Sequence, residues 1–333
     1  MTGRLGSLIA RLCIAAASVA VGSAYAVPET GRIPVLLYHT ADQAGCDYNN
    51  NALVALKKDL QDLKDNGWVV IPAYWAAQWV TGARSGSSLP DKVVSISFDD
   101  GPETDFINSN FPGCPGGATS GYKVLTDFIA ANPGMSWYPH VSVFVIASPK
   151  AREFISLANP PGCVLTPTPG QVTCLAFKDD WWQSAQNSGL MEIYNHSADH
   201  DHDAITSQVI DYDFYGNAIR VGGPYTGHDF ARMASNAEAG VEVAEAAAFI
   251  SSKIGGAWPD LFAYPFGQAN SFMQDTYFPQ KFAEHQTYAA FCLNRDTALK
   301  EESGGKRYCI PRITWKDSWG RWGNDYLINI LQP

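Results

Sequence analysis

Ser95-Ile96-Ser97-Phe98-Asp99-Asp100-Gly101-Pro102 is the most informative stretch of this chain. Residues 93–98 alternate apolar and small side chains, which is typical of a buried β-strand, and Gly101-Pro102 is expected to end it abruptly. Asp99 and Asp100 therefore follow the carboxyl end of a strand, where α/β proteins usually carry their chemistry. Neighbouring strand residues point to opposite faces, so one carboxylate can hold a metal while the other moves protons. A simple Asp-Gly turn is the alternative interpretation.

A second group of polar residues directly follows another predicted strand, 190–195. His196, His200 and His202 lie close together there, and the first two are four residues apart. On a helical turn this spacing places two imidazoles on one face. Two histidines and one carboxylate are a common ligand set for Zn²⁺ and similar divalent metals, and the Asp-Asp pair can supply the carboxylate. A solvated polar loop is the alternative.

Predicted strands and helices alternate along the chain, and this order favours a parallel sheet. Polar residues follow several of the strands, which favours closure into a barrel. No segment has the composition of an interdomain linker, so we expect one domain over residues 27–333. The predicted strands are 33–39, 68–71, 93–98, 141–146, 190–195, 261–264, 287–293 and 308–314. The predicted helices are 53–66, 72–80, 122–131, 179–187 and 234–254.

The first 26 residues have the pattern of a secretory signal peptide. Arg4 and Arg11 supply positive charge, residues 12–21 are apolar, and Ala24-Tyr25-Ala26 is a small-x-small cleavage site. A retained membrane anchor is the alternative, although the apolar stretch is short and rich in Ala and Ser. No later segment approaches about 20 uninterrupted apolar residues. We therefore expect a secreted or periplasmic protein, with no membrane span in the mature chain.

The chain has seven cysteines, of which one, Cys13, lies in the predicted signal peptide. An even number of cysteines in an exported chain favours disulfides. No CxxC pair is present, which argues against a thiolate zinc site. About 15 pairings of six cysteines are possible. We prefer the two pairs that close short segments and the pair that then remains, which are Cys163–Cys174, Cys292–Cys309 and Cys46–Cys114.

The chain is acidic, with a formal net charge of −10. Cleavage after Ala26 would remove two arginines and no acidic residue, so the mature chain would be more negative still. This charge makes nucleic acid and anionic membrane surfaces poor partners. A neutral or cationic polymer fits better.

Ser97–Pro102 resembles the first motif of the polysaccharide deacetylases, the NodB-homology group of carbohydrate esterase family 4. His196–His200 resembles their His-Ser/Thr-x-x-His motif. Tyr264-Pro265-Phe266-Gly267 resembles the third motif but lacks the arginine that usually opens it. Together with the start at Pro34–His39, this form is similar to the branch that deacetylates poly-N-acetylglucosamine in biofilms. The resemblance covers residues 33–314.

The resemblance implies a distorted (β/α)7-type barrel, circularly permuted relative to the common deacetylase barrel. It implies Asp100, His196 and His200 as ligands of one divalent metal, zinc in the first place, with cobalt or nickel possible. Asp99 would be the base that takes a proton from the attacking water. The loop Tyr264–Gly267 would help to stabilise the oxyanion.

Two further residues are implied by comparison with the common layout of that family. A C-terminal Leu-x-His usually protonates the leaving amine, but residues 326–333 contain no histidine. In the biofilm branch the histidine at the end of the first strand takes this role, so His39 is the candidate acid; a buried structural histidine is the alternative. Arg312, which ends the last predicted strand, is a candidate to orient Asp99, with a surface arginine as the alternative.

The expected function is therefore a secreted, metal-dependent N-deacetylase acting as a monomer on an N-acetylated polysaccharide or oligosaccharide. One alternative is an O-acetyl carbohydrate esterase, which would use similar chemistry. Another is a non-catalytic carbohydrate-binding protein on the same scaffold, which the missing arginine and Leu-x-His favour. The presence of Asp99 beside a complete ligand set argues for catalysis.

Overall fold

The computed structural model describes residues 31–108, 114, 117–158, 164, 174–200, 210–212, 218–220, 230–293, 297–315 and 327–331. Its strands are β1 Arg32–Ile33, β2 Val35–Tyr38, β3 Val69–Ile71, β4 Val93–Phe98, β5 Val141–Val145, β6 Met191–Asn195, β7 Ile210–Tyr212, β8 Ala218–Arg220, β9 Leu261–Ala263, β10 Ala289–Leu293, β11 Ala298–Leu299 and β12 Ile310–Thr314. Its α-helices are α1 Ala52–Asp65, α2 Ala73–Val80, α3 Gly121–Ala131, α4 Pro149–Ala158, α5 Trp182–Asn187, α6 Asn236–Ala239, α7 Ala246–Lys253, α8 Phe278–Gln280, α9 Phe282–His285 and α10 Leu327–Leu331.

Seven parallel strands close into a barrel in the order β2, β12, β10, β9, β6, β5, β4, and β4 pairs back to β2. β3 lies outside this ring and shares one edge of β4 with β5, since Val93 pairs with Val69 of β3 and Phe98 pairs with Val143 of β5. The opposite edge of β4 pairs with β2 from Ser95 to Phe98. The predicted seven-stranded α/β barrel is thus confirmed, and its circular permutation stays a prediction.

The sequence of β4 explains its central position, since every residue from Val93 to Phe98 is buried. Val94 and Phe98 pack in the apolar cluster that includes α1 and α3, on the outside of the barrel. Val93 belongs instead to the cluster formed by α2 and several other barrel strands. A strand buried on both faces needs a nearly continuous apolar or small-residue sequence, which is what this segment has.

The predicted helices form with small shifts at their ends, except that two of them are interrupted or shortened. The predicted helix 234–254 consists of α6, a π-helical segment Gly240–Glu245 and α7. The helix predicted at 179–187 is limited to α5. α4 has no counterpart among the predicted helices, although Ser148 before it and Pro149 in its first turn are typical of a helix start.

The described residues contain two of the three expected disulfides, Cys46–Cys114 and Cys292–Cys309. Cys163 lies outside the described residues, so its pairing with Cys174 stays a prediction. The predicted signal peptide and His202 also lie outside them. Within the described part of the chain, no helix combines the length and the apolar character needed to cross a membrane.

Candidate functional site

The candidate site lies at the carboxyl ends of β4, β5 and β6, three neighbouring strands of the barrel. Asp99 and Asp100 follow β4, and His196 follows β6. The end of β5 joins the two, because the amide of Ile146 donates to the carbonyl of Asp100 at 3.3 Å. The amide of His196 in turn donates to the carbonyl of Val145 at 2.9 Å. Parallel pairing therefore brings the Asp-Asp pair and the histidine motif to one edge of the barrel.

Asp100, His196 and His200 present one ligand atom each, and these three atoms lie within 4.8 Å of one another. Oδ1 of Asp100 is 3.4 Å from Nε2 of His196 and 3.5 Å from Nε2 of His200. This Oδ1 is buried and has no hydrogen-bond partner in the described structure. Burial raises the pKa of the Asp100 carboxyl, but the neighbouring imidazoles outweigh burial and hold that pKa well below its usual range. Among the described residues this is the only such group of His, Cys, Asp or Glu side chains.

The tautomer of His196 suits metal binding. Its Nδ1 lies 2.9 Å from the carbonyl oxygen of Ala263, and a carbonyl can only accept, so Nδ1 carries the proton. In the neutral imidazole, Nε2 therefore has a lone pair directed toward Asp100. One carboxylate and two imidazoles with this geometry fit a divalent transition metal such as zinc.

Asp99 and Arg312 form a fully buried, bidentate ion pair. Nη1 and Nη2 of Arg312 donate to Oδ1 and Oδ2 of Asp99 at 2.6 and 2.7 Å. Burial raises the pKa of Asp99, but the guanidinium outweighs it and keeps the carboxyl ionised. Oδ2 of Asp99 is also 3.6 Å from Nε2 of His196, so the carboxylate borders the ligand group. Arg312 has no exposed surface, which excludes the alternative of a surface arginine.

His39 lies on the open side of the site. Its Nε2 is 4.0 Å from Oδ2 of Asp100, and its side chain is 31% exposed. The next residue, Thr40, is fixed by a hydrogen bond of 2.6 Å from its hydroxyl to the carboxylate of Asp105. The structure therefore brings His39 to the ligand group on a well-anchored turn, and its partial exposure is unlike that of a core histidine.

Tyr264 was expected to contact substrate or oxyanion, but its side chain points away from the ligand group. Its hydroxyl donates to the carbonyl of Tyr308 at 3.0 Å, and its amide donates to the carbonyl of Phe291 at 2.9 Å. The ring packs edge to face within a buried aromatic cluster, formed with Phe230, Phe262 and Phe278. The side chain of Tyr264 is therefore part of the hydrophobic core.

The rest of that loop does border the site. Phe266 is 50% exposed, and its ring lies edge to face against His200, with centroids 4.6 Å apart. Pro265 is buried. Gly267 has φ +69, and a Cβ there would lie 2.4 Å from the amide nitrogen of Leu293. The loop thus offers a ring and backbone groups beside the ligand group.

Strained backbone is concentrated at this edge of the barrel. Five described non-glycine residues have positive φ, and four of them belong to the site. These four are Asp100 (φ 73), Ser197 (φ 75), His200 (φ 61) and Phe266 (φ 53), whereas Gln286 ends a helix. Each such residue costs about 1–3 kcal/mol and persists only where its surroundings hold it, and such residues cluster at functional sites.

Comparison with solved structures agrees with this fold. The Streptococcus pyogenes deacetylase PplD, solved with acetate, superposes with a TM-score of 0.53 at 15% identity, over 91% of this chain and 99% of that one. The fold is that of the polysaccharide deacetylases. BC0361 of Bacillus cereus, a polysaccharide deacetylase, superposes with a TM-score of 0.52 at 12% identity, over 90% of this chain and 69% of that one. The de-N-acetylase of Aggregatibacter actinomycetemcomitans superposes with a TM-score of 0.50 at 20% identity, over 84% of this chain and 94% of that one.

The likeness to these proteins is one of structure. No family model matches the sequence, and no curated protein matches it either. The chain spans 64% of the length of a further Bacillus protein, BA0330 of Bacillus anthracis, which is less than two thirds.

Within the deacetylase fold, four supporting residues were missed by reasoning from sequence. Thr40 and Asp105 anchor the turn of His39, and burial raises the pKa of Asp105 well above its usual range. Asn195 and Glu242 hold the histidine turn by hydrogen bonds to its amides. Glu242 lies in an Ala/Glu-rich helix whose acidic residues look solvent-exposed in sequence, and only the tertiary structure shows that it is buried.

Proposed function

We propose that this protein is a metal-dependent N-deacetylase that hydrolyses acetamide groups of an N-acetylated polysaccharide. One observation carries the proposal: Asp100, His196 and His200 form a compact ligand group beside the ionised Asp99, at the carboxyl edge of a deacetylase-type barrel. A de-N-acetylase among the proteins of similar fold supports this reaction class. A binding protein would have no need for a second buried carboxylate clamped next to the ligands.

The proposed metal is one divalent ion, zinc in the first place, with cobalt or nickel as alternatives. Asp100, His196 and His200 would hold it. A bound ion would also give Oδ1 of Asp100, which has no hydrogen-bond partner in the described structure, a partner. When bound, the ion would lower the pKa of a water and polarise the acetyl carbonyl.

Asp99 would accept a proton from the attacking water. Arg312 fixes the plane of this carboxylate and leaves it ionised. The same ion pair makes Asp99 a weak base, since it lowers the pKa of the carboxyl. Asp99 is therefore competent only toward a water whose own pKa is already lowered.

The leaving amine needs a proton, and His39 is the proposed donor. Its imidazole stands at the open side of the ligand group, where a sugar amine would depart. In the Tyr264–Gly267 loop, the backbone amide of Phe266 would stabilise the oxyanion. The amides of Tyr264 and Gly267 already donate to the carbonyls of Phe291 and Tyr264, and proline has no N–H. The exposed ring of Phe266 would pack against the substrate.

The protein is proposed to act outside the cytoplasm as a monomer, after cleavage near Ala26. The two disulfides of the described chain, Cys46–Cys114 and Cys292–Cys309, support this location, because such bonds persist in oxidising compartments.

The decisive experiment measures acetate release by the purified mature chain from chitin oligomers, poly-N-acetylglucosamine, peptidoglycan and acetylated xylan. Each substrate is tested with Zn²⁺, Co²⁺ or Ni²⁺ and with a chelator. We expect metal-dependent release from at least one N-acetylated polymer. Release from acetylated xylan alone would favour an O-acetyl esterase. Binding to a polymer without any release would favour the non-catalytic alternative.

A further inference from the structure

The turn that carries the two histidine ligands is held at each of its strained positions. Ser197 and His200 have left-handed backbone, with φ 75 and 61. The amide of Ser197 donates to Oδ1 of Asn195 at 2.9 Å, and the amide of His200 donates to the hydroxyl of Ser197 at 2.9 Å. The amide that follows Ser197, that of Ala198, is also buried and needs an acceptor.

That acceptor comes from a distant helix. Oε2 of Glu242 accepts the amide hydrogen of Ala198, with 3.0 Å between the two heavy atoms. Glu242 is only 1% exposed. On the same helix the carbonyl of Val243 accepts from Nδ2 of Asn195 at 2.9 Å. Asn195 therefore links this helix to the amide of Ser197, and Glu242 links it directly to the next amide.

Both contacts arise from the π-helical segment Gly240–Glu245, which interrupts the helix between α6 and α7. A π-helical segment adds a residue to the helical turn and changes which groups face a neighbouring element. Here the interruption coincides with the residues that reach the histidine turn, Glu242 and Val243. Such segments are frequent at functional sites.

We propose that the π-helical segment Gly240–Glu245 positions the metal ligands, with Glu242 as the main positioning residue. Glu242 and the carbonyl of Val243 hold the strained turn by accepting hydrogen bonds from Ala198 and Asn195, so that His196 and His200 both face Asp100. In this proposal Glu242 acts through the backbone of Ala198, whose amide it accepts. The inference rests on the proposed metal site.

Metal affinity tests this role independently of turnover. The mature chain is titrated with Co²⁺, and both the dissociation constant and the visible absorption spectrum of the bound ion are recorded. We expect Glu242→Ala to raise the dissociation constant about 10- to 100-fold, as loss of supporting hydrogen bonds around metal ligands generally does. Its cobalt spectrum should also change, because the histidines are no longer held in one geometry. Glu242→Gln keeps an oxygen acceptor for the amide and should restore both values.

The matched control is Glu245→Ala, which removes an exposed glutamate from the same π-helical segment and should change neither value. Near-ultraviolet circular dichroism checks that each variant is folded. If Glu242→Ala does not fold, Asn195→Asp serves instead, since it keeps the acceptor for Ser197 but loses the donor to Val243. It should raise the dissociation constant as well.

Two negative outcomes are distinguishable. A wild-type chain that binds no Co²⁺ or Zn²⁺ would overturn the proposed function, and the positioning role with it. A wild-type chain that binds Co²⁺, with folded Glu242→Ala or Asn195→Asp variants of unchanged affinity and spectrum, would overturn the positioning role alone.

Discussion

Replacing Arg312 with methionine should destabilise the fold in a pH-dependent way. The substitution leaves the Asp99 carboxylate buried and without the guanidinium that now binds both of its oxygens at 2.6 and 2.7 Å. Removing one partner of a buried ion pair typically costs about 3–5 kcal/mol. His196 lies 3.6 Å from Asp99, and although burial lowers the pKa of His196, the Asp99 and Asp100 carboxylates raise it overall. A protonated His196 would replace part of the lost charge, so we expect about 3 kcal/mol at neutral pH.

The pH dependence follows from the pKa of Asp99. In the wild type this pKa is below its unfolded value, so the ion pair contributes stability above about pH 4, which is lost as pH falls through the folded value. In Arg312→Met the guanidinium no longer opposes burial, so the pKa of Asp99 should rise relative to the wild type. The loss of folding free energy relative to the wild type should therefore shrink as pH falls from about 7 to about 4.5, because a growing fraction of Asp99 is protonated in the variant.

Urea unfolding of the metal-free chain, followed by circular dichroism at both pH values, measures this deficit. Lys123→Met removes an exposed ion pair with Asp127 and serves as the control, with an expected effect within about 0.5 kcal/mol. Asp99→Asn in the Arg312→Met background should recover part of the lost stability. A deficit below about 1 kcal/mol at neutral pH, or the same deficit at both pH values, would refute an energetically important ion pair.

Four other outcomes are expected. Asp99→Asn should abolish acetate release while the metal content stays near that of the wild type; persistent release would remove Asp99 as the base. His196→Ala should lose the bound ion and the rise in melting temperature caused by Zn²⁺, which for the wild type corresponds to about 2.7 kcal/mol at a hundredfold excess over the dissociation constant; a native protein without metal would contradict the site. His39→Ala should lower turnover far more than metal content, and unchanged turnover would place the acid elsewhere. Gly267→Ala should lower the melting temperature, because a Cβ would lie 2.4 Å from the amide nitrogen of Leu293, and an unchanged melting temperature would show that the loop has room to adjust.

The strands and the grouping of the candidate ligand residues were predictable because they depend on local pattern. The buried run before Asp99 and the four-residue spacing of His196 and His200 are both visible in the sequence, and parallel pairing then leaves few places for them to meet. The alternation of side chains along a strand, however, does not explain why the side chains of Asp99 and Asp100 point in different directions. β4 ends at Phe98, and the left-handed backbone of Asp100 turns its side chain toward His196.

What the sequence left open depends on contacts between distant segments. The pairing of Arg312 with Asp99 joins residues far apart in the chain, and a surface position was an equal alternative. Tyr264 belongs to a motif-like loop, yet its neighbours draw it into an aromatic cluster. Glu242 has the same local sequence context as exposed glutamates of its helix. In each case burial decides the role, and burial is a property of the whole fold.

The strained backbone at the site bears on how the ligand group is maintained. Four residues at about 1–3 kcal/mol each would oppose folding by an amount comparable with the whole stability of a typical domain, about 5–15 kcal/mol. Such strain persists only where surrounding contacts leave no relaxed alternative. At Ser197 this contact is a buried hydrogen bond to Asn195, and at His200 it is a half-buried hydrogen bond to the hydroxyl of Ser197. Hydrogen bonds of the folded chain itself therefore fix the positions of the proposed ligand side chains.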